Sequence, residues 1–524
     1  MKRKFVGLVT ALGLALTGCA SNQVGEQNMD TDVQATEDVT PEATPEVTPS
    51  VTPEAQPEKD EKVYSLVKAD ETKTYQTMES FGASGAWWSQ YVGGWDQPYG
   101  DDTEAVRDKI ARWLYSEESG IGLTCYRYNL GAGSAHSNNG IYWDEARRAE
   151  CFLKPNGEYD FTRDEEAVWF LKKVVELGAE EIILFCNSPL ESLTVNGKAQ
   201  MSDKNVPNLA PENYEAFADY CFDVAEHFIS EGIPVKYISP INEPQWDWLE
   251  GQEGCHYEPN EVVALLRVFV EKIAEREALA GVEISGPESG EWGGRTIEYN
   301  KAIMEDEVLG AYFTCLDNHS YWSDANAKTK YRKWKDENYP ELKLRASEWC
   351  EMVNGKDYTM DSAFNMLDEI YEDLTILDVV SWQCWVAVAP GDYRDGLIYV
   401  NKDKKACRDA KRLWAYGNLT KYVRPGYTRV EVSHSYSDIY KMNTLCFTGV
   451  NENGQEEMVF VFINREGEKN FRLGLTNPEK YCNYQIVTTS EERSLEVVQE
   501  GAYASDTVIT VEAESITTLI LTGK

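Results

Sequence analysis

Residues 235–244 read Val235-Lys236-Tyr237-Ile238-Ser239-Pro240-Ile241-Asn242-Glu243-Pro244. A short apolar run stops at polar residues and proline, and the chain then delivers Asn-Glu-Pro into a loop. This is the pattern of a buried strand that ends abruptly. It recurs. Comparable runs cover residues 81–85, 124–130, 181–187, 282–287, 313–319, 342–348 and 378–385, which with 235–242 make eight. Longer stretches with apolar residues near the 3.6 period lie between them. In 164–177 the stripe is Val168, Leu171, Val174 and Val175; 213–229, 259–278 and 362–374 read the same way. Alternation of eight strands with helices predicts a (β/α)8 TIM barrel over residues 81–420.

Barrels of this kind build their sites at the C-terminal ends of the strands. The side chains predicted there are Arg127, Asn129, Asn187, Ser188, Asn242, Glu243, Glu288, His319 and Glu348. Two of the glutamates stand out. Glu243 closes the fourth strand. Glu348, in Leu344-Arg345-Ala346-Ser347-Glu348-Trp349, closes the seventh. Strands four and seven face each other across an eight-stranded barrel, so the two carboxyl groups can reach one bond. Glycoside hydrolysis has that requirement, one carboxyl protonating the leaving oxygen and the other attacking or activating water. Glu351 is the nearest competitor but falls three residues beyond the strand end.

Beyond residue 420 the pattern changes. Runs such as Met458-Val459-Phe460-Val461-Phe462-Ile463 predict a β-sandwich over 421–524. Residues 62–80 also read as extended and are expected to add strands to it, so the fold is a TIM barrel with a side β-sandwich built from the C-terminal region plus a short N-terminal segment.

The N-terminus reads as an export signal. Lys2, Arg3 and Lys4 precede an apolar stretch that ends in Leu16-Thr17-Gly18-Cys19, similar to a bacterial lipobox. The expectation is a lipoprotein signal at 1–18 with Cys19 lipidated; an ordinary signal peptide is the alternative. Residues 19–61 repeat Thr-Pro-Glu units without aromatics and predict a disordered tether, either a working spacer or a passive tail. Such a chain would sit on the extracellular face of a bacterial membrane, lipid-anchored, or be secreted.

The formal net charge is −39, which repels nucleic acid, anionic lipid and polyanionic glycans and points to a neutral polysaccharide or oligosaccharide as partner, with membrane contact through the anchor alone. A monomer is expected. Cysteines are scattered without a CxxC pair and read as small buried hydrophobes. With only five histidines, a multi-histidine metal site is not expected. Trp87-Trp88, Trp246-Asp247-Trp248 and Tyr321-Trp322 fall in loops at strand ends, where aromatic faces complement the C–H faces of sugars.

Several motifs together resemble glycoside hydrolase family 30. They are Ser80-Phe81-Gly82-Ala83-Ser84-Gly85-Ala86-Trp87, Arg127-Tyr128-Asn129-Leu130-Gly131, Asn187-Ser188-Pro189 followed by Asn196-Gly197, Asn242-Glu243-Pro244, and the terminal Glu514-Ser515-Ile516-Thr517-Thr518-Leu519. The resemblance implies a retaining glycosidase without cofactor or metal, with Glu243 as acid/base and Glu348 as nucleophile. It implies an Arg127–Glu348 hydrogen bond and a raised Glu243 pKa beside Glu348. Substrate contacts are expected from Trp87, Arg127, Asn129, Asn187, Ser188, Asn242, His319, Tyr321 and Trp385. Where many members read Ser-Pro-Pro-Trp-Met, this chain has Ser188-Pro189-Leu190-Glu191-Ser192-Leu193, so the loop shaping the substrate pocket is altered. The stretches 382–397, 412–418 and 424–426 look most like bacterial relatives of endo-β-1,6-galactanases. That specificity is the leading expectation. Xylanase, β-1,6-glucanase and glucosylceramidase specificities are the alternatives, and a non-catalytic, lipid-anchored glycan-binding protein is the alternative of another class. Arg394, between Asp392 and Asp395, is expected in a local salt bridge, against a grip on a substrate carboxylate.

Overall fold

The computed structural model describes residues 64–136, 145–435 and 441–524. The expected signal at 1–18, the lipidated Cys19 and the tether at 19–61 lie outside the described residues.

The barrel strands are Ser80–Ser84, Cys125–Asn129, Glu181–Phe185, Val235–Ser239, Glu283–Ile284 with Pro287–Ser289, Cys315–His319, Lys343–Trp349 and Ser381–Cys384, and neighbours pair in parallel. Strands one and eight pair directly, Ser381 opposite Ser80. The fifth strand departs from the single run expected at 282–287. Pro287 has no N–H for the ladder, and Gly286 adopts φ +142°, which L side chains rarely adopt. The break is bridged by Ser285 N–H donating to the Ile238 carbonyl and Asp317 N–H donating to the Gly286 carbonyl. The barrel therefore closes through a strand in two pieces, and the second piece carries Glu288.

Helices follow the strands in turn. Pro259–Ile273 starts at Glu258 with a capping box to Glu261 and proline in its first turn, a strong start signal. It stops before the expected residue 278, and a short 3-10 turn, Glu277–Leu279, follows. Glu165–Glu176 buries Ala167, Phe170, Leu171 and Val174, while Val168 and Val175 flank that face half-buried. The stripe is thus rotated from the one read in the sequence. A three-stranded sheet, Val388–Ala389, Ile398–Asn401 and Ala406–Asp409, sits between the eighth strand and helix Lys411–Thr420.

The side sheet has nine strands. Its N-terminal member, Ser65–Thr77, lies between Thr428–His434, antiparallel, and Lys469–Leu475, parallel. The two ends of the described chain thus share one sheet. One face of the strand Glu456–Asn464 turns Met458, Phe460 and Phe462 into the core of the side sheet. The other turns Val459, Val461 and Ile463 into the barrel's core. The period-2 run 458–463 is apolar on both faces because both are covered. The eleven cysteines at 125–482 are free, and all but Cys407 and Cys482 are buried.

Candidate active site

Glu243 leaves the fourth strand in the left-handed region, φ 43°, and its N–H donates to the Glu288 carbonyl at 2.9 Å. Glu288 is left-handed too, φ 52°. Non-glycine residues pay of order 1–3 kcal/mol for such backbone, which persists where surrounding structure imposes it and clusters at active sites. Here the single bond from Glu243 N–H to the Glu288 carbonyl ties together the neighbouring strand ends that carry both carboxyls.

Below the mouth lies a buried charge cluster. Arg127, fully buried, donates through Nη1 to Glu348 Oε2 at 2.6 Å and through Nη2 to Glu288 Oε2 at 2.7 Å and Asn242 Oδ1 at 3.3 Å. Its guanidinium stacks over Phe185, 3.7 Å from the ring centroid. His319 bridges the remaining gap. Nε2 lies 3.1 Å from Glu288 Oε2, and Nδ1 lies 3.2 Å from Glu243 Oε1 and 3.6 Å from Glu348 Oε1. Tyr321 donates its hydroxyl to Glu348 Oε1 at 3.0 Å. Because one imidazole nitrogen touches both Glu243 and Glu348, the carboxyls lie well inside the ~9 Å of wide inverting pairs and in reach of the ~5–5.5 Å of retaining pairs.

The electrostatics divide the carboxyls. Burial raises Glu288, but Arg127 and His319 outweigh it and hold the group at about 2. Glu243 is raised above the ordinary carboxylate range by burial, reinforced by the charge of Glu348, against the pull of His319 and Arg127. The sequence had suggested Glu348 as the source of that rise; burial is the larger cause. His319 is pushed down by burial and more strongly up by Glu348 and its bonds to Glu243 and Glu288, to about 10. A folded pKa above the ordinary 6.5 contributes stability that is complete below about pH 6.5 and is lost as pH rises through about 10. The melting temperature of the wild type should therefore fall across that interval and that of His319→Gln should change less; equal slopes would contradict the imidazolium.

A cleft of about 590 Å³ opens above this cluster. Of the expected contacts, Trp87, Asn187, Asn242, Tyr321 and Trp385 line it with both glutamates. Arg127 and His319 lie beneath it and hold the carboxyls. Asn129 stands one step back, its Oδ1 accepting from Asn187 Nδ2 at 3.1 Å. Ser188 is buried off the wall, its hydroxyl turned to the Pro189 carbonyl at 3.0 Å. Trp87 Nε1 and Asn187 Oδ1 are buried without a protein partner. Arg394 makes a salt bridge, as expected, but to Glu351 at 3.1 Å and Asp357 at 3.8 Å, not to the flanking Asp392 and Asp395. That bond also occupies Glu351. A wider groove of about 1020 Å³, lined by Glu180, Lys421, Arg424 and Tyr484, lies toward the N-terminal ends of the strands, away from the paired carboxyls.

Sequence reading missed the importance of Glu288, which falls just past the run expected to end at 287. Trp246 and Trp322, read in the sequence as strand-end aromatics suited to sugar faces but not as named substrate contacts, line the cleft. Gly290 escaped notice as well. A Cβ there would stand 2.7 Å from Glu243 Oε1 and collide with the Gln245 amide. Gly290→Ala should keep the fold and lower kcat by about 10²-fold, the scale of a misplaced general acid; an unchanged kcat would mean that the loop adjusts freely.

Comparison with known proteins gives the family and the fold. A sequence model described as O-Glycosyl hydrolase family 30 matches residues 65–399. The chain belongs to that family. It is a glycoside hydrolase, a class whose reaction uses two carboxyl groups. Among solved structures, a conserved exported protein from Bacteroides fragilis is 24% identical with a TM-score of 0.74, the match covering 87% of this chain and 100% of that one. The catalytic domain of a family 30 xylanase C from Talaromyces cellulolyticus is 16% identical with a TM-score of 0.67, covering 87% and 99%. An endo-β1,6-glucanase is 16% identical with a TM-score of 0.65, covering 89% and 94%. At these identities the likeness is one of fold.

Proposed function

We propose that the enzyme hydrolyses β-glycosidic bonds of a neutral polysaccharide with net retention, Glu243 acting as acid/base and Glu348 as nucleophile. The observation that carries the reading is the sharing of Arg127 and His319 among three buried carboxyls. Two cations against three carboxyls are neutral when one carboxyl keeps its proton, and neutrality minimises the cost of burying charge. Glu243, raised by burial, is the carboxyl suited to keep it. Glu348 accepts from Arg127 and Tyr321, which orient its oxygens for attack on the anomeric carbon. Glu243 then protonates the departing oxygen. Once the glycosyl ester forms, the charge of Glu348 is gone, the pKa of Glu243 drops, and the same group deprotonates the incoming water. Glu288 remains the fixed anion that keeps His319 charged. Trp87 Nε1 and Asn187 Oδ1, unpaired within the protein, would be satisfied by sugar hydroxyls.

Endo-β-1,6-galactanase action on galactan or arabinogalactan side chains is the specificity favoured by the stretches at 382–397 and 412–418. Leu16-Thr17-Gly18-Cys19 supports lipid anchoring at Cys19 on the outer face of the membrane, with the acidic tether as spacer. The purified chain should be incubated with β-1,6-galactan, arabinogalactan, xylan and β-1,6-glucan. New reducing ends, largest on galactan, with β-configured primary products, are expected. Products of α configuration would refute retention, and no release from any of the glycans would refute the proposed neutral-polysaccharide substrate.

A further inference from the structure

The cleft does not end at the carboxyl pair. On one flank, from strands one and eight, Trp87 and Trp385 meet edge to face with centroids 4.9 Å apart. On the other stand Trp246, from the loop after strand four, and Trp322, from the loop after strand six, 5.5 Å apart and near perpendicular. Both flanks line one cleft. The second pair differs from the first in exposure: Trp246 is 41% and Trp322 59% exposed, whereas Trp385 is 8%. Single exposed apolar residues need no explanation, but two indoles meeting at the wall of a reactive cleft form a patch suited to a ligand.

The pair is also held in place. Gln245 presents its amide oxygen to Trp246 Nε1 at 3.1 Å and to Gly290 N–H at 2.7 Å. Trp246 N–H donates to the Glu243 carbonyl at 3.2 Å. Trp322 sits in the left-handed region, φ 49°, a strained backbone for a bulky side chain. Its ring leans on Tyr321, centroids 5.4 Å apart, and Tyr321 itself binds Glu348. The rings are thus fixed relative to both carboxyls. The acid must stand against the departing oxygen, and Trp246 lies three residues along the acid's own loop.

On the reading above, we propose that Trp246 and Trp322 form the subsite for the leaving-group sugar, taking the C–H face of a neutral hexose or pentose ring. The substrate is then an oligosaccharide or polysaccharide with a sugar on both sides of the scissile bond, in preference to a glycoside of a lipid or other non-sugar aglycone.

Two substrates separate the flanks. β-1,6-Galactotetraose needs the leaving-group subsite; β-1,6-galactobiosyl fluoride fills only the other side. The corresponding xylose or glucose pair is used if the glycan panel selects that sugar. The double variant W246A/W322A should lose kcat/KM on the tetraose about tenfold more than on the fluoride, the scale of one ring contact, chiefly through KM. W246F/W322F, which keeps a ring at both places, should recover most of it. If the double variant does not fold, W322A alone, at a mostly exposed side chain, supplies the same comparison. A wild type active on the tetraose whose variants keep the ratio of the two substrates unchanged overturns this inference alone. A wild type that cleaves no glycan of the panel overturns it together with the proposed neutral-polysaccharide substrate.

Discussion

Glu348→Gly should lose hydrolysis by several orders of magnitude, and sodium azide should return part of the turnover as a glycosyl azide of inverted configuration. Removing the side chain deletes the proposed nucleophile and opens space for a small anion at the floor of the cleft. Arg127 Nη1 and the Tyr321 hydroxyl, which hold Glu348 at 2.6 and 3.0 Å, remain to receive that anion. Glu243 can still protonate the leaving oxygen, so a single displacement by azide completes one inverted product. Product configuration by NMR, together with turnover with and without azide, checks the expectation. Undiminished hydrolysis by the variant would remove Glu348 from the mechanism, and azide product of retained configuration would assign the attack to another group.

Arg127→Met should cost about 3–5 kcal/mol of stability and most of the activity. Breaking a buried ion pair by removing one partner leaves uncompensated charge. Here one cation serves two anions, Glu288 and Glu348, all three nearly or fully buried. Methionine replaces the stem but not the fork, so Glu288 would lose its largest lowering influence and take up a proton at higher pH. Arg127→Lys should rescue neither property fully. An ammonium is a point charge and cannot direct separate N–H groups at Glu348, Glu288 and Asn242 while stacked over Phe185. Denaturant unfolding and kcat measured on the same preparations test this. A fully active, fully stable Arg127→Lys enzyme would reduce the arginine to a charge and contradict its positioning role.

Much of the architecture was legible because it rests on local pattern. Eight apolar runs stopped by polar residues, separated by stretches of period 3.6, are read from neighbours in the chain, and so are the strand-end positions of Arg127, Asn242, Glu243, His319 and Glu348. Pairing of an N-terminal strand with the C-terminal sheet was expected from the extended character of its residues. Its placement between Thr428–His434 and Lys469–Leu475, parallel to one and antiparallel to the other, depends on long-range contacts. The face of helix Glu165–Glu176 was misjudged by about one position, since the tertiary surface and not the helix's own periodicity chose Ala167 and Phe170.

Sequence by itself determined the two carboxyls and their opposed strands, because barrel geometry makes strand order equivalent to position around the mouth. Tertiary structure alone decided how those carboxyls differ. The convergence of Arg127 and His319 on Glu288, and the bond from Glu243 N–H to the Glu288 carbonyl, are meetings of residues far apart in the chain. A pKa is set by burial and by neighbours within a few ångströms, and no spacing along the sequence encodes those distances. The same holds for Trp246 and Trp322, which are 5.5 Å apart in space and separated in the chain by the fifth and sixth strands and the helices that follow the fourth and fifth.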